Sequence, residues 1–275
     1  MSDYVVAIYC FIDDFLIKIE HKEDKQRKMS DALVLTTALV ATHDFYGNMN
    51  KALHYMKAHH KVQVLDKSGF NRRLHKLEHI LFGIFRHLAN TLKKLNVNSI
   101  YSIDSFPVSV CRNIRIPRCR ILQGEEYRGF NASKREYFFG FKVQVITTED
   151  GLPVDFFFSK GSYADVTAFQ AMQIDLPPGS SLYADSAYTD YLEEDLYAEC
   201  GQVYLQVCRK SNSKRQDPAW AAFLKEHYRK RIETSFSEIT AMLPRSIHAV
   251  TERGFLLKIA LFLFAYTLGR ICEEI

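Results

Sequence analysis

The feature that most limits what this chain can fold into is a change of hydrophobic period near residue 97. Before it, apolar residues recur at helical spacing. In SDALVLTTALVATHDF (30–45), Leu33, Leu35, Ala38 and Leu39 fall near one helical face behind a candidate N-cap, Ser30. NKALHYMKAH follows a break at Gly47, and SGFNRRLHKLEHILFGIFRHLANTLKKL (68–95) reads as one capped amphipathic helix or two. After residue 97 strands and helices alternate. NSIYSIDSF predicts a strand with Ile100, Ser102, Asp104 and Phe106 on one face. REYFFGFKVQVITTEDG and LPVDFFFSKG predict two more, joined by a hairpin turn at Asp150-Gly151. Next come a short helix (ADVTAFQAM), a strand ending near Asp185 (SSLYADSAY), a helix capped by Thr189 or Asp190 (TDYLEEDLYAECG) and a fifth strand (QVYLQVC). A long helix from about Pro218 to Leu243 carries Glu233. The order β-β-β-α-β-α-β-α implies an α/β fold, a mixed sheet covered by helices, preceded by an all-α domain over 1–97.

With 275 residues, 47% of them hydrophobic, the chain can bury a sizeable core in one large domain or two modest ones. A formal charge of +4 says little about partners, so the distribution of charge has to be read instead. The N-terminal MSDYVVAIYCFIDDFLIKIEHKEDKQ lacks a basic leader, and Asp13 and Asp14 interrupt its apolar run, so no signal peptide is expected. The apolar run 255–271 is broken by Lys258 and predicts a buried helix, with no membrane partner. The six cysteines include no CxxC pair and predict reduced, mostly buried thiols in a cytoplasmic protein. Cys111 and Cys119 share an Arg-rich loop without a nearby His, so no zinc site is expected.

Charge concentrates in two regions. One is CRNIRIPRCRILQGEEYRGFNASKRE, with Arg112, Arg115, Arg118, Arg120, Arg128, Lys134 and Arg135 on a loop marked by Pro117 and Gly129; Tyr127 there is a candidate for stacking on a base. The other runs from Arg209 to Arg231 and includes Arg229, Lys230 and Arg231. Arginine favours bidentate phosphate contacts, so both regions point to a polyanion. The bland alternative is a solvated, salt-bridged surface. Glu233 follows the second run. It is either the i,i+4 partner of Arg229, worth a few tenths of a kcal/mol, or a metal ligand beside DNA. Asp104 is either a buried Asp hydrogen-bonded to backbone or a ligand, and Asp185 is either a turn cap or a ligand at a strand end.

The segments DSFPVSVC (104–111), QGEEYRG (123–129), YADSAYTDY (183–191) and YRKRIET (228–234) together resemble bacterial insertion-sequence transposases of the DDE type, nearest to the insertion sequence 982 family. The likeness covers most of the chain and is strongest over 100–260. It implies a ribonuclease H-like catalytic domain over 98–275 and an N-terminal DNA-binding domain over 1–97, where Arg72 and Arg73 are candidate contacts. It also implies catalytic metal ligands at Asp104, Asp185 and Glu233, with the family's arginine at Arg229. Two Mg²⁺ ions, or Mn²⁺ in their place, would stabilise the attacking and leaving oxygens of a phosphodiester. The implied partners are terminal inverted repeats, target DNA and a second subunit, in a bacterial cytoplasm at the nucleoid. Some related transposases carry a Tyr seven residues before the Glu and a Lys seven after it; here these positions are Glu226 and Thr240, so those roles are in doubt. The rival readings are a nuclease that cuts and never joins, and a transposase-derived DNA-binding protein that no longer catalyses. A sugar hydrolase is the third, and the basic surroundings suit it least.

Overall fold

The computed structural model describes residues 3–132 and 134–273. The chain forms two compact units. One joins the N-terminal stretch through His87 to the C-terminal stretch from Ile239, and the other is Leu88–Glu238. The texture change at residue 97 marks where strands begin. Contacts place the C-terminal helix with the N-terminal helices, which a boundary read along the chain does not reveal.

The first unit is built on α2 (Asp31–Phe45), capped as expected by Ser30, whose Oγ accepts from the Leu33 N–H at 3.2 Å. Eleven of its residues are buried, so it is a central helix and not a surface one. Around it pack α1 (Asp3–Lys18), α3 (Met49–His60), α4 (Lys67–Lys76) and α9 (Glu252–Glu273). The stretch 68–95 divides into α4 and α5 (Glu78–Leu95), and the cap is Asp66, which accepts from the N–H groups of Ser68 and Gly69. α9 is long and apolar enough to cross a bilayer, yet most of it is buried in this unit, where Phe264 meets Phe85 edge-on at 5.6 Å. Burial, then Lys67, lowers the pKa of the Lys258 ammonium, which donates to the His248 carbonyl.

The second unit holds a six-stranded mixed sheet in the order β2-β3-β1-β5-β6, with β4 on β3. Its strands are β1 (Ile100–Cys111), β2 (Arg128–Asn131), β3 (Glu136–Thr148), β4 (Pro153–Lys160), β5 (Ser181–Ala184) and β6 (Tyr204–Val207). β1, β3 and β4 are antiparallel neighbours, while β5 and β6 run parallel to β1. The helices are α6 (Asp165–Ala171), α7 (Tyr191–Leu196) and α8 (Ala219–Met242). β2 lies inside the stretch read as loop, because its Gly129 and Asn131 are turn-type residues. The hairpin turn falls where expected, with Gly151 at φ +82°. The cysteines are free, but none is fully buried, and Cys10 and Cys200 are exposed. Scattered single thiols carry no sequence pattern that separates core from surface.

Candidate active site

The sheet register builds the site. β1 and β5 pair in parallel up to Ile103 opposite Ala184. One residue further along stand Asp104, inside β1, and Asp185, just past the end of β5, so the two aspartates are neighbours at the carboxyl edge of β5. Ligand sites of open α/β sheets gather at such edges. Asp185 caps the single 3-10 turn Ser186–Tyr188, its Oδ1 accepting from the Ser186 N–H. The cap and the ligand reading of Asp185 are therefore compatible.

α8 covers the face that carries Ser102, Asp104 and Phe106. Phe236 meets Phe106 at 5.0 Å, Ser102 Oγ donates to the Tyr228 carbonyl at 3.4 Å, and the Tyr228 ring lies 4.5 Å from that of Tyr183 on β5. Ile232, Phe236 and Ile239 form the buried stripe. Glu233 sits beside it, half-exposed, and accepts from Arg229 at 2.9 Å. Arg229 also reaches 3.9 Å from Asp185. One guanidinium thus lies between the second aspartate and the glutamate.

Electrostatics set Asp104 apart. Burial pushes its pKa up to about 7; the Ser105 N–H, donating at 2.7 Å, works against this, and Asp185 and Asp165 add to it. Arg229 also opposes the rise. For Arg229, burial disfavours the charge, but Asp185 and Glu233 outweigh it and keep the pKa above its ordinary value. A half-buried carboxylate beside a second one is short of positive charge. Oxygen donors of this kind fit a hard divalent cation. In the present arrangement the three acids do not close on one point. Among the described residues, the trio of metal-type side chains with ligand atoms within 4.8 Å of one another is His21, Glu23 and Asp31. That trio is already paired: Asp31 takes Arg73 at 2.6 Å and His21 at 2.8 Å, and Arg27 pairs with Glu23.

Residues 94–244, more than half of the chain, match a family model described as a transposase DDE domain. The chain belongs to that family. Asp104, Asp185, Arg229 and Glu233 of this DDE transposase all lie inside the matched span. No curated protein and no solved structure shows significant similarity to it.

The basic side chains expected to meet DNA divide into two groups. Arg115, Arg118 and Arg120 are exposed and line one shallow cleft of about 350 Å³ with Val110, Cys111 and Cys119. Burial pushes the Cys111 thiol up to about 11, and Cys119 adds to the rise. Arg112, Arg72 and Arg231 are also exposed. Most of the Arg209–Arg231 run, by contrast, is ion-paired. Arg209 grips Glu194 with both side chains almost buried, Arg215 pairs with Asp195 at 2.8 Å, Lys225 with Asp217 at 2.7 Å and Lys230 with Glu226 at 3.0 Å. Two of these acids, Glu194 and Asp195, lie on α7, out of sight of the run, while Asp217 and Glu226 stand within it. Arg73 is likewise committed to buried Asp31, and Arg128 pairs with Glu125 at 3.2 Å. Tyr127 is buried against Phe141 at 5.4 Å and is no stacking platform. Asp165, at the start of α6, takes bonds from Ser105 on β1 and from Lys142 and Gln144 on β3, contacts that depend on strand register and that no local pattern reveals.

Proposed function

We propose that this DDE transposase makes metal-dependent cuts at the ends of its element and joins the freed 3′-hydroxyl to target DNA, with Asp104, Asp185 and Glu233 as metal ligands. The observation that carries this reading is the register that sets Asp104 beside Asp185, with Asp104 raised to about 7 by burial and its acidic neighbours. Two Mg²⁺ ions, or Mn²⁺, when bound would polarise the phosphodiester and supply the charge the pair lacks. Asp104 and Asp185 would hold the sheet side of the site, and Glu233 would complete it from α8. The Arg229–Glu233 pair is an exposed i,i+4 contact worth about 0.3–0.5 kcal/mol, so Glu233 turns from the guanidinium to a cation at little cost. Arg229 is then free to meet a phosphate.

The same reading takes the catalytic part, 98–275, as ribonuclease H-like, 1–97 as the domain that binds terminal inverted repeats, and the nearest kin as the insertion sequence 982 family. It places the protein as a homodimer on DNA in the bacterial cytoplasm. Exposed Arg72, Arg112, Arg115, Arg118, Arg120 and Arg231 are the proposed DNA contacts.

One observation favours a second reading. Arg229 already stands between Asp185 and Glu233. A DNA-binding protein derived from a transposase, with its acids closed on an internal cation, would keep this arrangement. The deciding experiment is magnesium-dependent cleavage of a labelled duplex carrying the element's terminal repeat, with wild type beside Glu233→Gln. The proposal expects wild type to cut and the variant to bind without cutting. Equal cutting by both would remove Glu233 from the site, and binding without cutting by both would favour the inactive protein.

A further inference from the structure

Beneath the aspartate pair runs a chain of hydrogen bonds that the metal chemistry does not itself use. Side chains alternate along β1, so Ser105 points to the face opposite Asp104. On β3 its ladder partner is Gln144, and the partner of Pro107 is Lys142. These side chains converge on Asp165 at the start of α6. Ser105 Oγ donates to Asp165 at 2.7 Å, Gln144 Nε2 at 3.1 Å and Lys142 Nζ at 3.3 Å. The other end of the Gln144 amide, Oε1, accepts from the Tyr188 hydroxyl. Asp165 accepts only, so the amide orientation follows from its partners. Gln144 is 0% exposed and Tyr188 1%.

The connections span the site. Tyr188 closes the 3-10 turn that Asp185 caps, and its own N–H donates to the Asp185 carbonyl at 3.0 Å. β1 separates β3 from β5, so the Tyr188–Gln144 bond ties the turn after Asp185 to a strand two places away. The Ser105–Asp165 bond ties down the residue whose N–H holds Asp104. Lys142 pairs with Asp165 at 3.3 Å and offsets part of its charge, the rest of which still raises the Asp104 pKa.

We propose that Gln144, Tyr188 and Asp165 are positioning residues that fix the separation of Asp104 and Asp185, and so set the affinity of the pair for a divalent cation. The inference rests on the metal-site reading above. Groups behind metal ligands commonly change metal affinity by about 10–100-fold when lost. It differs from a packing role in one respect. Replacing both partners of a buried hydrogen bond with apolar groups restores stability, because neither is left unpaired, but it does not restore the tie.

The test is Mn²⁺ binding to the full-length, DNA-free protein by electron paramagnetic resonance, with melting temperature measured alongside. Tyr188→Phe is expected to weaken Mn²⁺ binding about ten-fold. The double variant Tyr188→Phe/Gln144→Leu is expected to recover part of the melting temperature, the Gln144–Asp165 bond being lost with it, while Mn²⁺ binding stays weak. Ser105→Ala, a gentler change at a half-buried site, moves affinity the same way by less. Mn²⁺ affinity that is unchanged in Tyr188→Phe, or that returns together with melting temperature in the double variant, overturns the positioning role. Asp104→Asn separates the two levels. If it abolishes Mn²⁺ binding while Tyr188→Phe binds as wild type does, only this inference fails. If it binds Mn²⁺ like wild type, the metal-site reading fails and this inference with it.

Discussion

At the scale of single residues, Asp104, a proposed metal ligand, lowers the stability of the metal-free protein as its carboxyl ionises. Its folded pKa is about 7, against an ordinary value of 3.8. Between these values the folded protein binds more protons than the unfolded chain, so stability from this residue is present below about pH 4 and falls as pH rises to about 7. Asp104→Asn removes that loss. In metal-free protein at pH 8 the variant is expected to be more stable by about 1–3 kcal/mol, with a flatter dependence of stability on pH between about 4 and 7. Added Mg²⁺ should stabilise wild type and leave the variant unmoved, and the variant should not cut DNA. Chemical denaturation at several pH values checks this; a variant less stable than wild type at pH 8 would mean the Asp104 carboxylate is satisfied by the protein alone. The place of this residue inside an apolar strand, where a charge is costly, was legible in the sequence. Its raised pKa was not, since that depends first on burial and then on Asp185 and Asp165, which are neighbours only in the fold.

At the scale of elements, β3–β4 and α8 meet at one glycine. Gly151 occupies the hairpin turn at φ +82°, where a side chain is strained. A Cβ there would stand 2.3 Å from Ser235 Oγ, two residues past Glu233 on α8. Gly151→Ala therefore meets both a backbone penalty and a clash. The expected cost is about 1–3 kcal/mol, read as a lower midpoint in urea, with cleavage reduced because α8 shifts. An unchanged midpoint would show that the turn and the helix adjust independently. The turn itself could be read from Asp-Gly between two apolar runs, as could the five strands other than β2 and the helix carrying Glu233. β2, with Gly129 and Asn131 among its residues, could not, nor could the helical grouping, because α9 finds its partners some two hundred positions back along the chain.

At the scale of the whole molecule, the question is where a chain of formal charge +4 would hold a polyanion. The ion pairs answer by subtraction. Arg209, Arg215, Lys225 and Lys230 are matched to carboxylates, whereas Arg115, Arg118 and Arg120 share one exposed cleft. Each phosphate contact contributes about 0.9 to the slope of log affinity against log salt on duplex DNA. If the cleft takes three phosphates, replacing its three arginines with Gln lowers that slope by about 3 and weakens binding to any sequence alike. Arg209→Gln should behave in the opposite way: it takes the close partner from nearly buried Glu194 and leaves only Arg215 at 3.9 Å, so it lowers melting temperature and leaves the salt slope alone. Titrating both variants on one duplex over a range of salt separates the surfaces. A slope lost with Arg209 and kept without the three cleft arginines would move the DNA path from the loop after β1 to the segment before α8, and the site would then be approached from its helix side.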